Sequence, residues 1–309
     1  MHGTYAKLGF AIESGFGVST APTVFLPGTE DIRVNVARLR EDSPYGGRNL
    51  LAADPGRKEV RGGSRGHTAY PNAIGLLLKA ALGEPATSGS GPYTHVFTPQ
   101  AGPVSDDQAL PAVSLTRGAG NRTRRYIGGQ LNQLTVNAPV DGRLTFDADW
   151  IFKDLVEGVE DPVPVLEGTT PFRFAHAQHK RGGSPYPYIE SLTITLNNNL
   201  EVGSYQDGSD TLAEVLLGRF QAQVQFTLAF RARETWDDFL ANATSAWELA
   251  WVNGNYKLRF IIPRLNIQEA GDPISSAGRL TASATGVAEL DPASGYALQV
   301  ILENDTGGY

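Results

Sequence analysis

Two distant stretches of this 309-residue chain carry nearly the same text: GGQLNQLTVNAPVDGRLT at 128–145 and IPRLNIQEAGDPISSAGRLT at 262–281. Each holds a Leu-Asn step (Leu131-Asn132, Leu265-Asn266), a turn bearing proline, and an identical Gly-Arg-Leu-Thr (Gly142 to Thr145, Gly278 to Thr281). What precedes them repeats in kind. Residues 31–39, DIRVNVARL, and 189–200, IESLTITLNNNL, alternate apolar and polar side chains, the period of a half-buried strand. Each runs into a long segment rich in turn-forming residues, 40–57 and 201–218. A second strand pattern follows. It is relaxed by glycines in KEVRGGSRGHTAY (58–70) and clean in RFQAQVQFTLAFRA (219–232), where Phe220, Ala222, Val224, Phe226 and Leu228 share one face. Each half then reads as a short helix. NAIGLLLKAALG (72–83) has Pro71 for its first turn and Gly83 as its stop. TWDDFLANATSA (235–246) offers Thr235 as N-cap, with Asp237 and Asp238 near the positive end of the dipole.

Strand, long loop, strand, helix, strands ending in Gly-Arg-Leu-Thr, written twice, predicts a mainly β (α+β) chain of two tandem domains. Each has one short flanking helix and a long loop. The expected divisions are an N-terminal arm at 1–30, a first domain at 31–155 and a linker at 156–188. A second domain at 189–290 and a C-terminal strand or arm at 291–309 follow. An insertion at 84–111, rich in Ser, Gly and Pro, reads as a loop or mobile flap. The Val-Pro alternation in the linker favours extended backbone. The alternative is one large β domain whose strands resemble each other only as strands do.

Composition narrows the function. A formal charge of −7 gives no basic footprint for a general nucleic-acid binder. No apolar run reaches the ~18 residues of a membrane span, and no secretory leader opens the chain. With no cysteine, thiol catalysis, disulfides and zinc–thiolate sites are excluded.

Chemistry-bearing motifs are sparse. His176 and His179 in FAHAQHK have metal-ligand spacing on a helix, but the surrounding text is not helical and supplies no acidic third ligand. No P-loop, nucleophile elbow or dinucleotide fingerprint is present. The acidic pairs Asp106-Asp107 and Asp237-Asp238 fall in the flap and at a helix start. A glycosidase pair would have to be assembled from distant strands. Basic residues cluster once, Arg117, Arg122, Arg124 and Arg125, as an inter-subunit patch, an anion site or a solvated loop. The reading is a protein without catalysis, cofactor or metal.

The opening ESGFGVSTAPTVFLPGTE (13–30), the helix text YPNAIGLLLKAALG (70–83) followed by GPYTHVFTP (91–99), and the order of elements together resemble a phage tail tube protein of the long-tailed siphophage kind. The resemblance covers most of the chain and implies a β-sandwich or barrel fold for each of the two tandem domains and a structural role in the virion tail, after synthesis in the host cytoplasm. It implies a homotrimer whose six similar domains imitate a hexameric ring, with rings stacking into a tube through which DNA passes without specific binding. Tape measure and tail terminator proteins are the implied partners, and no membrane is involved. It assigns the long loops to ring-to-ring contact, so Tyr45, Leu50, Leu51, Tyr205, Leu212 and Leu216, with Arg122, Arg124 and Arg125, are the candidate inter-subunit residues. The terminal arms are further candidates for stacking contacts. The competing readings are another virion ring protein of the same fold, a terminator or baseplate component, and a carbohydrate-binding β-sandwich. The last would need an exposed aromatic platform.

Overall fold

The computed structural model describes residues 5–41, 43–99, 110–165, 167–203, 208–230, 233–271 and 280–309. The protein is mainly β and sandwich-like, with two short α-helices, and nineteen of its strands join one hydrogen-bonded network. In the first half, four antiparallel strands lie in the order Arg33–Arg40, Ala53–Thr68, Thr145–Phe152, Arg124–Ala138. The second half repeats it with Ile189–Asn197, Gln221–Ala229, Thr281–Ala288 and Tyr256–Gly271. These strands form what we call the wall.

A second layer packs behind the wall. The leading part of Arg124–Ala138 leaves the wall and lies between Val113–Gly118 and Asp154–Glu157, and Val113–Gly118 takes Lys7–Ile12 on its far side. Likewise the leading part of Tyr256–Gly271 lies between Thr244–Asn253 and Gln299–Asn304, and Thr244–Asn253 takes Lys180–Arg181. Lys7–Ile12, inside the expected N-terminal arm, is therefore a sheet strand. Gln299–Asn304, inside the expected C-terminal strand or arm, is one as well.

Even the irregularities correspond. Asn132 is an extra residue opposite the Asp149/Trp150 step, and Gln268 is one opposite Thr285/Gly286. A second offset between Val113 and Leu115, facing Gly129 and Tyr126, recurs between Ser245 and Trp247, facing Leu265 and Ile262. A bulge bends and twists its strand, which lets one long strand serve both layers. The spacing from Asn132 to Gln268 equals that from Gly142 to Gly278, so Gly-Arg-Leu-Thr is the true anchor of the repeat. Thr145 and Thr281 open equivalent strands. The Leu-Asn steps are out of this register: Leu131 answers to Ile267, not to Leu265, and their match is coincidence.

Alternation sets the core. Leu192, Ile194, Leu196, Ala222, Val224, Phe226 and Leu228 turn inward, as do Leu134, Val136, Phe146, Ala148 and Trp150, and all are buried. Trp150 keeps its polar tip satisfied by donating Nε1–H to Ser64 Oγ at 3.0 Å.

The halves are joined edge to edge. Leu192 through Asn197 pair with Ala138 back through Gln133, which makes the wall continuous across the joint. Asn198 locks the end of this seam: it is buried, and its Nδ2 donates to Ala81 O at 3.0 Å and Leu131 O at 2.8 Å. Removing a side chain that satisfies two buried carbonyls costs ~1–3 kcal/mol. Asn198→Ala is therefore expected to lower the urea-unfolding free energy by about that amount.

A second tie runs through the insertion. Tyr93–Phe97 pairs with Gln299–Asn304 and carries Ala86–Ser88 on its outer edge, so the expected mobile flap is, where described, a hairpin extending the second half's sheet. Residues 100–109, including Asp106 and Asp107, lie outside the described residues. Lys79 Nζ donates to Tyr309 O at 2.5 Å, and the Tyr309 ring meets His95 edge-on. The final strand is thereby pinned to the first half.

The two helices differ. Helix α1, Gly75–Leu82, is buried on every side, and helix α2, Glu234–Ala241, buries only Thr235. Thr235 is not the cap: Arg233 already has helical backbone angles and precedes α2 without a side-chain cap, which puts Thr235 inside the first turn. Asp238 accepts from Arg181 at 2.6 Å and from Ser245 at 3.0 Å, so it ties α2 to the second layer.

Candidate assembly surfaces

Two sheet edges of the wall stay open among the described residues. At one end, Arg33–Arg40 pairs on one side only, with Ala53–Thr68. At the other, Glu269, Ala270 and Gly271 pair only with Thr281–Ala288. Register shows what these edges lack. Arg33 faces Arg61 and Val34 faces Val60, as Thr195 faces Gln223 and Leu196 faces Ala222, so Val34 holds the place of Leu196. Leu196 is 1% exposed inside the joint, whereas Val34 is 38% exposed. Ala270 likewise holds the place of Leu134, which is fully buried, and is itself only partly covered. Each open edge carries one side of the contact that the joint completes. Unpaired strand edges invite pairing with another chain.

The wall's outer face is polar and continuous across the joint. It carries Gln133, Thr135 and Asn137, then Thr193, Thr195 and Asn197, then Gln221, Gln223 and Gln225, then Ser283 and Thr285. Thr193 Oγ1 donates to Asn137 Oδ1 across the joint at 3.3 Å. Asp147 accepts from Asn137 Nδ2 at 2.9 Å and from the Gly66 amide at 2.7 Å, and Asp149 is paired with Arg65. The face is concave around Ser191, Thr193, Gln225, Thr227 and Thr285, enclosing about 410 Å³.

The two long loops occupy equivalent places and behave differently. Arg33–Arg40 and Ala53–Thr68 continue as a paired ribbon as far as Arg40 opposite Ala53. Beyond it Leu50 is 78% exposed, Tyr45 donates its hydroxyl to Asn49 O with its ring half exposed, and Leu51 is partly covered. The counterpart folds down on the first half. Glu201–Val202 pairs with Val215–Leu216, and Leu212 and Val215 bury against Ile151 and Phe16. Leu212 is thus already committed within the subunit, Leu216 is exposed, and Tyr205 lies outside the described residues.

The arginines are mostly spoken for. Arg124 pairs with Glu157 at 2.9 Å and Arg117 with Glu30 at 3.0 Å; Arg125 donates to Thr116 Oγ1 and Ser19 Oγ, both at 3.0 Å. Arg122 is exposed.

His176 and His179 do not form a site. His176 sits in a 3-10 turn, where its Nδ1 accepts from the Arg173 amide at 3.3 Å. His179 is buried, accepts from the Ala250 amide at 3.3 Å and meets Trp251 edge-on. No cluster of metal-ligating side chains occurs among the described residues. Trp150, Trp247 and Trp251 are buried and Trp236 stands apart from them, so they make no aromatic platform.

Burial gives two histidines another consequence. It lowers both His67 and His179 from 6.5 to about 4, because the charged imidazolium would lose its hydration. Above about pH 6.5 neither the folded nor the unfolded state binds the proton. Between there and about pH 4 the unfolded chain takes up protons that the fold refuses, so stability falls as pH falls through this window. The expected loss at pH 4.5 is ~2–3 kcal/mol per histidine, seen as a falling urea midpoint. His67→Gln and His179→Gln should flatten it.

The comparisons agree with this architecture. No curated protein matches the chain. A family model described as phage tail tube protein matches residues 3–288, nearly its whole length. Two open, complementary strand edges and a continuous wall are what a self-assembling structural subunit requires, and the chain belongs to the phage tail tube protein family, a structural component of the virion tail.

Proposed function

We propose that three copies of this chain close a ring of six similar walls, and that the rings stack into a hollow tube through which DNA passes. One observation carries the reading: the Leu192–Asn197 strand pairs with 133–138 inside the subunit, and the equivalent partners at the two ends are open. Applying the same step again sets Arg33 of one subunit opposite Gly271 of the next, Val34 opposite Ala270 and Asn35 opposite Glu269. Such heterologous contacts close a ring and leave no free edge. Because two wall units share one chain, every second lateral contact is formed at high effective concentration.

The polar face lines the channel in this arrangement. Gln, Thr, Asn and Ser offer no cations to phosphates, and Arg61 and Arg65 are accompanied by Glu59 and Asp149, so a passing polyanion gains little from most of the wall. The exposed ribbon tip around Tyr45 and Leu50 reaches an adjacent ring. Tape measure and terminator proteins are the expected partners at the channel and the tube end.

Negative-stain electron microscopy of the concentrated protein tests the reading. Hollow tubes, or rings of apparent sixfold symmetry containing three chains, are expected. Isolated rings that never stack would point to a terminator or baseplate role instead. Persistent monomers would overturn the proposal.

A further inference from the structure

The joint between the halves holds a second contact beside the strand pairing. Phe172, in the segment linking the halves, is fully buried against the end of the first half's wall. Its amide donates to Ala69 O at 3.0 Å, its carbonyl accepts from the Leu144 amide at 3.0 Å, and the Phe174 amide donates to Gly142 O at 3.0 Å. Phe172 thus plugs the gap between the start of Thr145–Phe152 and the turn into α1. Ala69 and Leu144 are fully buried beneath it.

Among the described residues, the second half has the same gap without a plug. Thr68 faces Thr145 and Ala229 faces Thr281, so Phe230 holds the place of Ala69 and Leu280 that of Leu144. Phe230 is 45% exposed, and Trp236 on α2 is 37% exposed beside it. Between them lies a cavity of about 290 Å³, lined also by Thr235, Ala270, Ala282 and Ser283. It abuts the open edge at Ala270 and Gly271. The buried α1 and the exposed α2 differ in the same sense.

Register identifies the missing plug. Arg181 faces Trp247 as Phe10 faces Leu115, and Trp247 and Leu115 are equivalent across the matching bulges. Counting back from Arg181 to Phe172, and by the same number from Phe10, arrives at Met1. Tyr5 falls in the place of His176, and both stand in 3-10 turns. We propose that the cavity between Phe230 and Trp236 receives the segment ahead of Lys7 from the neighbouring subunit, which plugs it as Phe172 plugs its counterpart. This rests on the ring reading and adds to it a second, side-chain contact at every junction between chains.

Trp236 replaced by the photoreactive residue p-benzoylphenylalanine tests the assignment directly. The probe chain is assembled with isotope-labelled wild-type chain, irradiated and digested with trypsin, which releases residues 1–7 as one peptide. The expected product joins residue 236 to labelled residues 1–7, that is, to another chain. Acrylamide quenching of wild-type tryptophan fluorescence should also drop on assembly, since Trp236 is the exposed one of the four. Tubes that form with the probe cross-linked elsewhere, and with quenching unchanged, would overturn the plug and leave the ring standing. Failure of the wild-type chain to form rings or tubes at all would overturn both.

Discussion

Val34→Asp is expected to abolish ring and tube formation while leaving the subunit folded. In the free subunit Val34 lies on an open edge with 38% of its surface exposed, so a carboxylate there keeps much of its hydration. In the closed ring it occupies the place that Leu196 fills inside the joint, where a charge would have no partner. Burying an unpaired carboxylate costs several kcal/mol, and in a trimer the cost recurs at each of three junctions. Circular dichroism and melting temperature should stay within ~2–4 °C of wild type, as for a surface change. The concentration needed for tubes should rise at least ~100-fold, the equivalent of ~3 kcal/mol per junction. Val34→Ile, which adds apolar surface at the same point, should assemble as well as wild type or better.

The same substitution one half further along should have the opposite signature. Leu196→Asp puts the carboxylate into the existing joint, where Leu196 pairs opposite Leu134 and neither is exposed beyond 1%. The subunit itself should then fail to fold, or fold only with its halves parted. The milder Leu196→Ala should cost ~2–5 kcal/mol of unfolding free energy. It should not alter the geometry of any tubes it still forms. Equivalent residues with divergent phenotypes, assembly for one and folding for the other, separate a contact between chains from the matching contact within one.

Much of this was legible in the chain's text. The alternation of Gln221–Ala229 and Ile189–Asn197 states which side chains are buried, because a strand with one solvated face must alternate. Gly-Arg-Leu-Thr marks the same strand start twice. The Leu-Asn steps misled because they are a chance match: the bulged residues Asn132 and Gln268 keep the spacing of Gly142 and Gly278, whereas the two Leu-Asn steps stand two residues closer together. The insertion hid its strands because ATS and YTHVF are short and set among Gly, Ser and Pro. Their partner, Gln299–Asn304, lies some two hundred residues away.

The assembly surfaces were less legible. The resemblance pointed to the long loops and so to Tyr45, Leu50 and Leu212 within them. Sequence could not tell that one loop projects while its counterpart lies on Ile151 and Phe16. Val34 and Ala270 went unnoticed because nothing in their composition differs from that of core residues. Only the comparison of each with its buried equivalent exposes the missing neighbour. Trp236 belongs to text that reads as a helix start and Phe230 to text that reads as a strand, so neither signals a contact.

The central claim is that the joint inside the subunit is repeated between subunits until three chains close. Engineered disulfides test it most directly, in a chain that has no cysteine of its own. Gln133→Cys with Asn197→Cys is the internal control, since these residues are direct partners across the joint. Asn35→Cys with Glu269→Cys is the equivalent pair between chains. Oxidised assemblies of the second variant should run on a denaturing gel as covalent dimers and trimers and stop there, while the control stays a monomer. Rings or tubes in which the control bridges and the Asn35/Glu269 pair remains reduced would contradict the account.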